Sequence, residues 1–154
     1  LIQLLDWSVS SEGSGGIMSV GKELWGAIRN ALIADAALMA DVNGVYDKAL
    51  PTDPWGAKQS YITRGPFFGS PDDADCVVGQ EVTLQIDIWS RDPNRWSTDD
   101  IVSGVRRVLH NQDVTLTENA LVSLEVTLWR VMDDPDLQTT HGVVQVTARV
   151  EEPA

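Results

Sequence analysis

Apolar and polar residues alternate strictly from Glu81 to Ile88: Val82, Leu84, Ile86 and Ile88 fall on one face of an extended chain, and Glu81, Thr83, Gln85 and Asp87 on the other. That period of two predicts a strand with one face on a core. Asp92-Pro93-Asn94 then turns the chain, because proline fixes φ while Asp and Asn bond their own backbone. Ser97 and Asp100 have the spacing of a capping box, so a helix is expected from Ser97 or Thr98. Ile101, Val102, Val105, Val108 and Leu109 form its apolar stripe. A strand and a helix with one apolar face each must cover one another, and residues 79–109 are the unit on which the rest is assembled.

The same reading extends in both directions. Leu24, Ile28, Ala31 and Leu32, with Trp25 at the edge, make a helical stripe in a helix expected from Ser19 towards Ala34. Ile33 points off that stripe and hints at a second buried surface. Asp35 breaks the helix and starts a short turn, Asn43-Gly44 is a turn, and Val45-Tyr46 a short strand. Residues 47–60, with Pro51, Pro54 and Gly56, read as a loop, and Tyr61–Arg64 as a strand broken at Gly65-Pro66. From Phe67 to Gly79 a long acidic loop or mobile hairpin is expected; a loop of that length is more often functional than idle. Val114–Leu116 reads as a brief strand. Leu121–Met132 alternates with Val122, Leu124, Val126 and Leu128 on one face, and Gly142–Glu151 with Val144, Val146, Ala148 and Val150. Strands joined by short connections favour an antiparallel sheet with the two main helices packed on one face, an α+β fold.

Composition narrows the function. The 154 residues fit one domain, set here at 18–154, with 1–17 as an N-terminal extension or linker. Its Ser10-Ser-Glu-Gly-Ser-Gly-Gly run is flexible by composition, so the extension is either an arm that reaches a neighbour or processed sequence. The net charge of −12 argues against a nucleic-acid-binding surface, which needs clustered Lys and Arg. It suits a surface along which DNA passes without being held. One cysteine, Cys76, excludes an intramolecular disulfide and a Cys-rich metal site. No run of 18 apolar residues predicts a membrane span, and without a signal peptide the default compartment is cytoplasmic.

Motifs that suggest chemistry each have a plainer explanation. Gly16 through Gly21-Lys22 has phosphate-loop spacing, but Glu23 stands where the magnesium-binding Ser or Thr belongs. Asp72, Asp73 and Asp75, and Asp133, Asp134 and Asp136, lack calcium-loop spacing and read as solvated turns. His110 suits a helix C-terminus as a cation, and nothing in the spacing joins it to His141 or Cys76 as a catalytic set. No catalytic, metal or cofactor residues are therefore assigned. Six tryptophans are many for this length. Trp89 and Trp129 fall opposite the aliphatic faces of their strands and Trp55 lies in a Pro-rich loop, which predicts that at least one is in an interface.

An ordered set of segments resembles the phage tail-completion family, which includes the tail terminators of long-tailed phages and gene transfer agents. The segments are 31–38, Val45-Tyr46-Asp47, Tyr61-Ile-Thr63, 84–91, 130–136 and 141–150, so the resemblance covers roughly 19–151. It implies a non-enzymatic α+β subunit, without cofactor, in a hexameric ring on the head-proximal end of the tail tube. Such a ring ends tube polymerisation and offers a surface for head–tail joining, in the virion neck, after assembly in the host cytoplasm. The implied partners are further copies of the chain, the tail tube protein and the head connector, with DNA threading the lumen unbound. Candidate interface residues are Trp55, Phe67, Phe68, Asp72, Asp73, Asp75, Trp89 and Trp129, with the 67–79 loop expected at the tube or lumen. The alternatives are a head-side stopper or connector ring, and a small ligand-binding or hydrolytic domain.

Overall fold

The computed structural model describes residues 18–154; the expectations for 1–17 lie outside the described residues. In chain order come α1 (Val20–Ala34), α2 (Ala36–Met39), β1 (Val45–Tyr46), β2 (Ser60–Pro71), β3 (Gly79–Ser90), α3 (Arg95–Leu109), β4 (Ala120–Asp133) and β5 (Thr140–Glu151). The strands form one sheet in the order β1-β2-β3-β5-β4. The fold is α+β, but the sheet is mixed rather than wholly antiparallel, because β1 runs parallel to β2. Two residues suffice there: Arg29 of α1 donates from Nε to the Val45 carbonyl at 2.9 Å and fixes the short strand to the helix.

Local chemistry sets the helix ends. Ser19 caps α1 by accepting from Lys22 N–H, and Asp35 caps α2 by accepting from Leu38 N–H at 2.8 Å, so the predicted break is a second cap. The cap of α3 is Asn94, which accepts from Trp96 N–H at 3.2 Å, and the helix starts at Arg95, ahead of the expected Ser97. Asp92 in turn accepts from Asn94 N–H at 2.8 Å, so the turn and the cap are one structure.

Burial follows the predicted periodicity. Leu24, Ile28 and Leu32 of α1, Ile101, Val102, Val105 and Leu109 of α3, and Val82, Leu84, Ile86 and Ile88 of β3 belong to one buried cluster. Val144, Val146, Ala148 and Val150 of β5 complete it. We call the face of the sheet that carries these residues aliphatic and the other polar. Ile33 is exposed and makes no second core.

Three expectations fail, two of them because of bulges. Pro66 does not end β2, because the register shifts by a bulge between Arg64 and Phe67 that accommodates it beside an outer edge. Of the loop or hairpin expected at 67–79, the hairpin is the one formed, its strands continuing to Pro71 and from Gly79. β4 bulges twice, between Leu121 and Ser123 and between Val126 and Leu128, and each bulge reverses the alternation. Val122 and Leu128 are exposed as a result, while Leu124 and Val126 are buried. Val114–Leu116 forms no strand; Val114 and Leu116 pack on the core without a ladder.

Candidate functional site

The polar face carries a ladder of side-chain bonds that join β3 to β5. Thr83 and Thr147 hydroxyls are 3.1 Å apart, and Gln145 donates from Nε2 to Gln85 Oε1 at 3.1 Å. His141 Nε2 lies 2.8 Å from Asp87 Oδ1, which also accepts from Gln85 Nε2 at 2.8 Å. Trp89 stacks on His141 with ring centroids 3.9 Å apart and 9° between planes, and its Nε1–H donates to Thr63 Oγ1 at 3.0 Å. This network was invisible in the sequence, because cross-strand pairs depend on register. The alternation did place Asp87 and Trp89 on one face, which is the signal that was there to be used.

Gly65 makes room for the network: a Cβ there would fall on the Asp87 carboxylate. Gly65→Ala is expected to push Asp87 off His141 and to lower stability by about 1–2 kcal/mol. A lowered urea midpoint with a shifted His141 ring resonance is the expected record; an unmoved resonance would refute the link.

The predicted interface residues fall into separate places. Trp89 is half-buried in the network just described. Trp55 packs edge-on against Tyr61 with centroids 4.9 Å apart, and Arg91 lies 4.3 Å above its ring. Asn43 also binds the Trp55 carbonyl, which pins the 47–60 loop. Burial raises the Tyr61 phenol above its ordinary range, against the opposing pull of Arg91. Trp55 lines a cleft of about 910 Å³ with Arg91, Arg95 and Asp133, at whose rim Trp96 (68 % exposed) and Leu137 (84 % exposed) project. Sequence reading missed both rim residues; Trp96 off the α3 stripe was the available clue.

Phe67 and Phe68 point to opposite faces. Phe67 sits beside Leu84 and against Gly21 of α1, and Phe68 beside Thr83 on the polar face. At the hairpin tip Asp72 accepts from Arg149 Nε at 2.8 Å, and Asp73 accepts from Gly79 N–H at 3.0 Å. The Asp72 carboxylate raises the Arg149 guanidinium. Asp75 has no ion-pair partner among the described residues. Asp136 is a turn residue held below the usual carboxylate range by Thr139, whose N–H donates to it at 2.9 Å.

Trp129 corrects its prediction. The second β4 bulge sets it beside Val144 on the aliphatic side, where Arg106 of α3 lies 3.4 Å over its ring. His110 stands at the C-cap of α3, as expected, and its Nδ1 accepts from Val126 N–H at 3.0 Å. It is thus tied to β4, whereas His141 is tied to Asp87 and Cys76 is exposed in the hairpin tip. Gly21 and Lys22 lie inside α1, so the phosphate-loop spacing is not a loop there. Among the described residues no helix is long and apolar enough to cross a membrane, and no group of three or more His, Cys, Asp and Glu side chains has metal-holding geometry.

The comparisons agree with this architecture. A family model described as tail completion protein gp17 matches residues 26–151. No curated protein matches the chain. A chain in the solved structure of the virion of a native gene transfer agent (GTA) particle is similar at TM-score 0.79 and 24% identity, covering 86% of this chain and 98% of that one. At that identity the likeness speaks for the fold.

Proposed function

The chain belongs to the tail completion protein gp17 family, and from that premise we propose that it forms a ring that caps the head-proximal end of the tail tube. As a tail completion protein it is a structural component of the virion tail. In the proposed role the ring stops tube polymerisation and presents the surface for head joining. The role asks for binding faces and no reacting group, so we assign no catalysis.

The observation that carries the reading is the position of the exposed apolar side chains. Phe68 (59 % exposed) lies on the hairpin toward the β1–β2 edge of the sheet, and Val122, Leu128 and Trp129 (48 % exposed) lie on β4 at the opposite edge. Two different patches at two edges are what a head-to-tail ring interface uses, whereas a two-fold dimer uses one patch twice. In the same reading α1 and α3 together cover the aliphatic face, since both contribute to the one buried cluster. The Trp55 and Trp96 cleft is then left for the tube protein or the head connector. The acidic balance of the chain suits a lumen that DNA traverses without phosphate contacts.

Light scattering over a range of concentrations, with and without the tail tube protein, tests this. Six copies of 16.8 kDa give about 101 kDa, a closed ring. That mass for the chain alone, or a complex of bounded size above it on adding tube protein, is the expected result. A monomer indifferent to tube protein throughout would overturn the reading, and a ring that binds only the head connector would move the chain to the head side of the joint.

A further inference from the structure

The last turn of α3 and β4 enclose a cavity of about 470 Å³ lined by Ser103, Arg106, Arg107, His110, Val126 and Trp129. In a chain with 23 acidic and 11 basic residues, two guanidinium groups in one cavity are a concentration of positive charge. Arg107 is neutralised by a two-pronged bond to Asp35, at 2.8 and 3.0 Å. Arg106 makes no ion pair with a carboxylate among the described residues and lies over the Trp129 ring face. Of the two acids in β4, Glu125 points to the polar face beside Thr147 and Asp133 pairs with Arg95.

This cavity opens beside a sheet edge that is covered only in part: Asn111 N–H donates to the Leu124 carbonyl at 3.0 Å and Val126 N–H to His110 Nδ1 at 3.0 Å. β4 is 14 residues long, is an outermost strand, and exposes Val122, Leu128 and Trp129; its two bulges, and not proline or lysine, are what break its edge. Natural sheets blunt such edges or cover them. The other long edge is blunted: beyond the two residues that β1 covers, β2 carries Pro66 and Pro71, which lack the N–H a further strand would need. The hairpin at that side presents the opposite charge. Asp72, Asp73 and Asp75 stand at its tip beside exposed Val78, and Asp75 is uncompensated.

Resting on the ring reading above, we propose that the β2–β3 hairpin tip of one copy docks on the β4 edge of the next, with Asp75 facing Arg106 and Val78 covering the Trp129 rim. The occupant is a second copy because both halves of the charge match are on this chain and stand at opposite edges of its sheet. Complementary charges of this kind set register and partner choice in an interface. The hairpin expected at the tube or lumen is thereby assigned to the contact between subunits.

Cys76, the single cysteine, sits next to Asp75 and supplies the test. In Ser103→Cys the second thiol is placed at the exposed mouth of the cavity. Copper–phenanthroline with oxygen is the oxidant, and the products are separated without reductant. The expected product is a ladder that continues past the dimer, absent from the wild type. Arg106→Glu is expected to suppress it and to raise the concentration for half-assembly about tenfold, and Asp75→Lys combined with Arg106→Glu to restore it. Light scattering on the reduced proteins separates the two claims. A ring whose Ser103→Cys form gives no ladder, or stops at dimers, overturns the docking and leaves the ring. A wild-type chain that never forms a ring overturns both.

Discussion

Gly142→Ala is expected to destabilise the protein by about 2–3 kcal/mol, which for a chain of this size is a fall of about 5–10 °C in Tm. Gly142 pairs with Ile88 on the aliphatic face of β5, directly beneath α3. A Cβ there would meet Val102 Cγ2 at 2.7 Å, Thr98 Cγ2 at 3.1 Å and Ile88 Cβ at 3.2 Å. All three neighbours are β-branched, and such side chains in helices and strands have little freedom at χ1. None can swing aside, so the methyl group is accommodated only if α3 lifts from the sheet. A double-mutant cycle checks the cause. Val102→Ala removes the nearest atom, so its cost in the Gly142→Ala background should be at least about 1 kcal/mol smaller than in the wild type. Strict additivity in urea unfolding would mean that the strain lies elsewhere.

Glu23→Gln is expected to cost about 2 kcal/mol near neutral pH and progressively less below pH 4.5, the ordinary carboxyl value. Glu23 is buried in the first turn of α1, where the helix N-terminus favours a negative charge. Its Oε1 accepts from the backbone N–H groups of Thr117 and Glu118, the latter at 2.9 Å, and its Oε2 from Asn119 Nδ2 at 2.9 Å. One carboxylate thus ties the segment before β4 to the helix. A glutamine offers an NH2 group where a donor already points. Burial pushes the Glu23 carboxyl upward, and the bonds from Glu118, Asn119 and Thr117 outweigh it and hold the group below its usual value. The folded state therefore binds this proton less readily than the unfolded chain does. The stabilisation is complete above pH 4.5 and is lost as pH falls through the lower folded value. Asp35, held at about 2 by Arg107, adds its own acid sensitivity, but equally in both proteins. Urea midpoints of wild type and variant from pH 7 to pH 3 should converge at the acid end; a gap independent of pH would refute the charge as its cause.

Periodicity alone located both long helices and the central strands, because burying one face imposes a period of 3.6 or of 2. Ser19 and Asp35 were legible as cap and break, since a side chain that bonds its own backbone acts locally. The ordered segments from Ala31 to Val150 also carried the family, which the match over residues 26–151 bears out. Errors clustered where a local rule had two solutions. Gly65-Pro66 reads equally as an end or as a bulge, and only the presence of β3 along the whole length of β2 decides for the bulge. Strict alternation predicts Trp129 opposite the aliphatic face, and a single extra residue in β4 reverses every later side chain and turns it to the aliphatic side.

The sequence by itself determined the apolar stripes of α1, α3, β3 and β5, the start of α1 and its break at Asp35, the acidic balance and the kind of fold, all properties that a segment expresses with its nearest neighbours or by sum. The tertiary structure alone decided the mixed sheet order, the Asp87–His141–Trp89 network, the Glu23 anchor and the Arg106–Trp129 contact. Each of these joins residues that are distant along the chain, and their pairing depends on strand register and on how α3 lies over the sheet. Register is a property of two strands together, and neither one encodes it alone.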